Sequence, residues 1–478
     1  MTDSREIYKI LDLGLRVGEI LLSSGAGAAD VTATMLGISR HYGLRNADID
    51  VTFTMLRMSY QDDPDEMPVL VTRTIDQRDI DYDDLTRTHE LVRDVLLDRV
   101  TDAEARARVA RVISTGHYLP RWAVVVGSGL VGGGISLILG GGVVITAVAT
   151  VAGMLITMLM RTLNRQRLPM FYQQAAGGML ATLVALAMAS LYEELDLRVD
   201  TSLVITASIV LLLSGIGFMG AIQDALTGFY ITAGARILEA MLATAGLIAG
   251  VSAGLALAPT FRVSLIGVRP GAGVELASTP LVLLGAVITA CAFAFTCYAP
   301  WRSLPAIAAS TLLGHLVFLS VQDDPRQAMP WAAACAAVTI GLVSYAIAGR
   351  VSVPPLVVVV PALVPLLPGL LIYRGLSYMS AGDTLGILQL SAAAATTIAL
   401  AAGVIMGEYV AQPLKRNVRR LEGRLAGPRM VGVMHGHLPR RGAGSRARTA
   451  RGGGASVRTG RQERRRSVSD DRPGAAGG

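Results

Sequence analysis

Between Trp122 and Ala411 apolar residues run in segments of about 17 to 25, separated by short polar turns, which is the length a helix needs to cross hydrocarbon. Lipid offers backbone amides no partners, so such segments are predicted to be helices with every backbone bond closed internally. The expected helices lie near 122–139, 143–160, 170–191, 202–222, 229–257, 280–298, 303–321, 329–349, 354–373 and 384–410, about ten in all. The pattern before Trp122 is different. Ile7, Ile10, Leu13, Val17, Ile20 and Leu21 recur at helical spacing over 5–22, and Val31, Met35, Ile38 and Tyr42 repeat it, with Asp30 as the expected cap of the second helix. From Ile49 to Met55 the period falls to two, the mark of a half-buried strand, with Val69–Ile75 as its expected partner across the polar turn 61–66. Helices are expected again over 83–99 and 102–114.

These periods predict a polytopic α-helical membrane protein of about ten transmembrane helices, with a small N-terminal α+β soluble domain. Composition sharpens the division. Mean hydropathy is +0.50, 52% of residues are hydrophobic and 17% are charged, and the charges gather at the two ends. The expected regions are 1–121 as a soluble domain, 122–258 as a first membrane half, 259–279 as a linker, 280–410 as a second half, and 411–478 as a basic tail.

The tail holds Lys415 and sixteen arginines against Glu422, Glu463, Asp470 and Asp471, a net +13 within an overall +7. Such an excess beside the last helix suits disordered cytoplasmic chain lying against anionic lipid. Nucleic acid is not the expected partner, because aromatic residues for base stacking are absent. Arg161, Arg165 and Arg167 in the turn after the second helix, and Glu193, Glu194 and Asp196 in the next, give the bias expected if both termini are cytoplasmic. The first turns lack the apolar core of a secretory signal. Cys291, Cys297 and Cys335 lie in apolar segments without paired spacing or a neighbouring His, so neither a disulfide framework nor a metal site is expected.

Two constellations carry the chemistry. Pro361, Pro365 and Pro368, followed by Gly369 and Arg374, fall inside one predicted span; proline lacks a donor and clashes with the preceding turn, so the helix should break there. Broken helices survive in a membrane where they face protein or a watery cavity, the arrangement transporters use for substrate. The second is the Gly-rich run 215–220 leading to Asp224, then Arg236 and Glu239 three residues apart; a charge at mid-membrane costs about 2.5 to 3.5 kcal/mol, so such groups either serve a task or pair with one another near the surface. Asp383 and Glu408 sit near helix ends, and His315 is a lone imidazole in an apolar helix.

Enzyme readings are weak. A nucleotide loop needs Gly-x-x-x-x-Gly-Lys, and the only lysines are Lys9 and Lys415. Arg93 stands where the second His of a zinc motif beginning at His89 would be, and Asp383 lacks the flanking pattern of a membrane aspartyl protease. What remains is a transporter, or a membrane-anchored receptor or scaffold with a ligand-binding soluble domain, with a membrane-embedded hydrolase behind both.

The runs Leu21 to Thr32, Tyr42-Gly43-Leu44, Asp50 to Thr54, Asp79 to Leu85, Gln223 to Gly228, Ala235 to Glu239, and Pro365 to Gly369 with Tyr373-Arg374-Gly375 resemble the threonine/serine exporter family, and in particular its actinobacterial inner-membrane members. The resemblance spans about residues 10–415. It implies two five-helix halves, no cofactor, and export of threonine, serine or similar small amino acids driven by a proton gradient or the membrane potential. A homo-oligomer is an open assembly on this reading. A zwitterion presents two charges a few ångströms apart. The substrate-binding candidates are therefore Arg236 or Arg374 for the carboxylate and Asp224, Glu239 or Asp383 for the ammonium, with the break at Pro365, Pro368 and Gly369 supplying half-helix termini.

Overall fold

The structure is a computed structural model that describes residues 4–63, 65–75, 78–117, 119–194, 201–209, 212–213, 215–261, 278–322, 329–380 and 382–411, all within one compact unit. The basic tail beyond Ala411 and linker residues 262–277 lie outside the described residues.

The soluble domain begins with α1 (Ser4–Ser23) and α2 (Ala28–His41), whose apolar stripes bury Leu11, Leu15, Val31 and Met35. Three short strands follow, β1 (Asp48–Val51), β2 (Met55–Tyr60) and β3 (Val69–Thr74), forming an antiparallel meander in the order β1-β2-β3. The expected strand over 49–55 is therefore two pieces. Val51 is buried on β1, but Leu56, Met58 and Tyr60 are the buried set on β2, so the phase changes by one residue across the turn. Val69–Thr74 pairs with β2, with Tyr60 opposite Val69, and not with β1. Arg73 on β3 holds Asp12 and Glu19 of α1 at 3.0 and 2.7 Å. Helix α3 (Tyr82–Leu96) starts where Asp81 accepts from the amides of Asp83 and Asp84, and α4 (Asp102–Ser114) starts with a Thr101–Glu104 capping box.

The membrane region runs through α5 (Arg121–Ile138), α6 (Val143–Arg165), α7 (Met170–Glu194), α8 (Thr201–Ile209), α9 (Gly215–Leu226), α10 (Tyr230–Ala256), α11 (Thr279–Thr296), α12 (Leu304–Val321), α13 (Met329–Val351), α14 (Leu356–Leu363), α15 (Gly369–Ser380) and α16 (Leu385–Ala411). Among the described residues eight helices are long and apolar enough to cross a membrane, and α14 with α15, bent by 46° at their break, makes a ninth. The segment expected as one helix over 202–222 is instead divided into α8 and α9. The chain is a multi-pass membrane protein.

Helix contacts repeat along the chain. Helix α7 lies against α10 and α13 against α16; α9 lies against α10 and α15 against α16; α9 also reaches α16, and α15 reaches α10. The closest of these contacts depend on glycine. A Cβ on Gly250 of α10 would collide with the Ala175 carbonyl of α7, and one on Gly407 of α16 with the Val338 carbonyl of α13.

A single apolar core joins the soluble domain to the membrane helices, since Leu11, Met35 and Met58 belong to the same buried cluster as Ala290, Ile307, Val353 and Val357. Polar contacts reinforce the junction. The Tyr82 amide donates to the Cys297 carbonyl at 2.8 Å, Arg302 donates to Glu90 at 2.8 Å, and His117 stacks on Tyr298 with ring centres 3.9 Å apart.

Candidate functional site at the domain junction

Helix α9 carries Ile216, Gly217, Gly220, Gln223 and Asp224 along one face, with Thr227 in the turn just after it, and that face lines a cavity of about 1330 Å³. The spacing of three and four keeps these positions aligned down the helix. Other walls come from Arg236, Glu239 and Ala240 of α10, from the end of α6 and the turn to α7 through Arg161, Asn164 and Arg167, from Val360 of α14 and Glu408 of α16, and from the soluble domain through Gly27, Asp30 and Arg78. The cavity thus lies between soluble domain and membrane helices and climbs α9 toward its first residue.

Asp224 is the best-connected group in it. Only 1% of Asp224 is exposed; its Oδ2 lies 2.6 Å from Arg236 Nη1, and its Oδ1 accepts from the Ala28 amide at 3.0 Å. The pair crosses from α9 to α10, so Arg236 bonds to Asp224 and not to its own helical neighbour Glu239. The Ala28 bond corrects the expected cap. Gly27 precedes α2 and offers no side chain, and the helix has no side-chain cap of its own. Asp30 sits within the first turn of α2, and the open amide at its start is met by a carboxylate 196 residues away. A helix N-terminus carries partial positive charge, so Asp224 bridges two positive groups.

Arg78 approaches the same cavity from the loop after β3. Its guanidinium lies over the Phe53 ring at 4.4 Å and its Nη2 donates to the Phe53 carbonyl. Nε and Nη1 are buried without partners. Burial, and then the positive charge of Arg236, push the Arg78 pKa down to about 10, so it remains a cation at neutral pH.

The remaining candidates are elsewhere. After α14, which contains Pro361, a 3-10 turn at Val364–Leu366 holds Pro365, Leu367 is extended, and α15 restarts at Gly369 just after Pro368. This break packs on the break between α8 and α9: a Cβ on Gly215 would lie 3.0 Å from Leu367 Cβ, and one on Gly369 would lie 2.9 Å from Leu213 Cβ. Asp224 is nine residues further along α9, roughly 14 Å at 1.5 Å per residue. Arg374 is half-buried on α15 with Nε unpartnered, and exposed Asp383 accepts from the Leu385 amide at 2.9 Å where α16 begins. Neither lines the cavity. The structure therefore brings Asp224, Arg236 and Glu239 together and leaves Pro365, Pro368, Gly369, Arg374 and Asp383 outside that group. Asp30, Arg78, Asp79, Arg161, Arg167 and Glu408 line the same cavity. Glu408 was visible as a charge in an apolar helix; Arg78, one polar residue among many in a loop, carried no signal.

Two family models match the chain: one described as a putative threonine/serine exporter over residues 12–258, and one described as "Threonine/Serine exporter, ThrE" over 282–410. A threonine/serine exporter of Corynebacterium glutamicum is 31% identical over 425 residues, covering 88% of this chain and 86% of that protein. A probable threonine/serine exporter of Mycobacterium tuberculosis is 32% identical over 442 residues, 89% of this chain and 81% of that protein. No solved structure matches significantly.

Proposed function

The chain belongs to the threonine/serine exporter family, and from that premise we propose that it is a secondary transporter moving threonine, serine or similar small amino acids out across the cytoplasmic membrane. The observation that carries this reading is the cavity itself: a chamber walled by both soluble domain and membrane helices, holding acids and bases together, and rising along α9 to within one residue of the crossing of two broken helices. That is where an alternating-access carrier needs its substrate. In this reading α5–α10 and α11–α16 are two halves of five spans, each with a broken fourth, and the recurring helix contacts support it. Both termini are cytoplasmic, so the soluble domain faces the side from which substrate is collected.

Asp224 and Arg236 are engaged with each other, which makes Glu239, exposed on the cavity wall, the ammonium partner. Export against a gradient is coupled to protons or to the membrane potential; each elementary charge moved across 100 mV involves about 2.3 kcal/mol. Proteoliposomes loaded with labelled threonine or serine and given a proton gradient or a potassium-valinomycin potential test the proposal. Flux that rises with either gradient is expected. Equal flux with and without them indicates a passive channel, and no flux of any amino acid indicates a receptor or scaffold. In a cysteine-free background, an impermeant thiol reagent on intact cells should label a cysteine at position 194 and leave one at position 445 untouched.

A further inference from the structure

We propose that the soluble domain supplies part of the substrate site, with the Arg78 guanidinium binding the carboxylate of the exported amino acid. The inference rests on the export reading. Among the described residues lining the cavity, Arg78 is the arginine with buried donors left unused, Nε and Nη1. Arg236 is held by Asp224 at 2.6 Å, Arg161 donates to the Arg121 carbonyl at 2.8 Å, and Arg167 is exposed, with no buried donor to satisfy. Arg374 lies outside the cavity. Nε and Nη1 lie on different edges of the guanidinium, so each can give a carboxylate oxygen one charge-assisted bond, and a buried cation with unmet donors is costly until an anion arrives.

The surroundings fix its aim. Stacking on Phe53 and the bond from Nη2 to the Phe53 carbonyl hold the plane of the guanidinium, and Nε and Nη1 are the donors left for a ligand. Glu239 shares the cavity and takes the ammonium, so one charge is read by the membrane helices and the other by the soluble domain. Substrate then binds fully only while the two parts are docked, a state to which the Asp224–Ala28 bond contributes beside the cavity.

Counterflow of labelled threonine in proteoliposomes, with unlabelled threonine or threoninol as competitor, tests this. Threoninol keeps the ammonium and hydroxyl and lacks the carboxylate. In the wild type threonine should compete about ten- to a hundredfold better than threoninol, the range of a charge-assisted hydrogen bond. Arg78→Gln should raise the KM for threonine by a similar factor, change kcat less, and bring the ratio of the two competitors close to one; Arg78→Lys should be intermediate. An unchanged ratio in a folded Arg78→Gln protein overturns the proposal, whereas a structural role alone would lower both competitors together. A second measurement needs no variant: threonine, and not threoninol, should protect Arg78 of the intact wild-type protein from phenylglyoxal, mapped by mass spectrometry. Equal modification with and without threonine also overturns it. Absence of wild-type threonine and serine flux sinks the export reading instead, and protection by a panel of other amino acids still reads Arg78 directly.

Discussion

The two interruptions in the membrane helices, between α8 and α9 and between α14 and α15, arise from different chemistry. In α14–α15 three prolines within eight residues remove donors and force a 3-10 turn, an extended Leu367 and a 46° bend. In α8–α9 the described residues at the break hold no proline, and α9 restarts at Gly215, where a Cβ would lie 3.0 Å from the opposing Leu367 Cβ. The polar load differs as well. Helix α9 runs from the break to Asp224, which binds Arg236 and the soluble domain, whereas α15 carries Arg374 with an unpartnered Nε. A break, then, requires only that the backbone be unable to continue; which side becomes a site depends on the groups placed beyond it.

The largest effect should separate the two spans by charge. Asp224→Ala leaves Arg236 buried without its anion and the Ala28 amide without an acceptor, so stability should fall by about 3 to 5 kcal/mol and transport to background. Arg374→Ala removes no ion pair and should cost far less in thermal melting of the purified protein. Equal losses in the two variants would erase the distinction between the spans. Adding Arg236→Ala to Asp224→Ala should recover part of the stability, because the stranded charge goes with its partner.

Next come the facing glycines. Gly215→Ala and Gly369→Ala each place a methyl about 3 Å from a leucine Cβ across the crossing, an overpacking cost of about 1 to 3 kcal/mol. Similar shifts in melting temperature are expected for the two, with reduced flux; a loss at one position alone would show that the crossing is not shared evenly. Pro365→Ala should matter less again, since Pro361 and Pro368 still interrupt the helix, and flux should fall by less than about threefold if each proline accounts for only part of the bend.

The smallest effect concerns how the soluble domain meets each half. At the first half it docks through Asp224. At the second it docks beside Tyr298, where His117 lies 3.3 Å from Asp81 and Asp84 is pushed up from 3.8 to about 6 by burial and then by Asp81, against the pull of His117 and Arg87. A raised carboxyl pKa means that the folded protein holds a proton the unfolded chain has released. Stability from this group therefore falls as pH rises from about 3.8 to about 6 and is level above. Asp84→Asn should remove that slope, so its melting temperature relative to wild type should climb over this interval and then stay constant. A constant difference from pH 4 to pH 7 would place the Asp84 titration outside the folded state.

Much of this architecture was written in one-dimensional pattern. Apolar runs long enough for a bilayer, the periodicity of α1 through α4, the proline break and the presence of charges at Asp224, Arg236 and Glu239 within apolar sequence all follow from local composition, because helix formation in lipid and helix failure at proline are local events. Strand β2 escaped because the turn after Val51 shifts the alternation by one residue, which a single period read through to Met55 cannot show. Tertiary structure alone decided that Arg236 pairs with Asp224 in preference to Glu239, that α2 is capped by a carboxylate 196 residues distant, that the two breaks cross, and that Arg78 enters the cavity from a loop. Each of these joins groups far apart in the chain, and charge, donor geometry and fit between non-neighbours become definite only when packing has fixed where the elements stand.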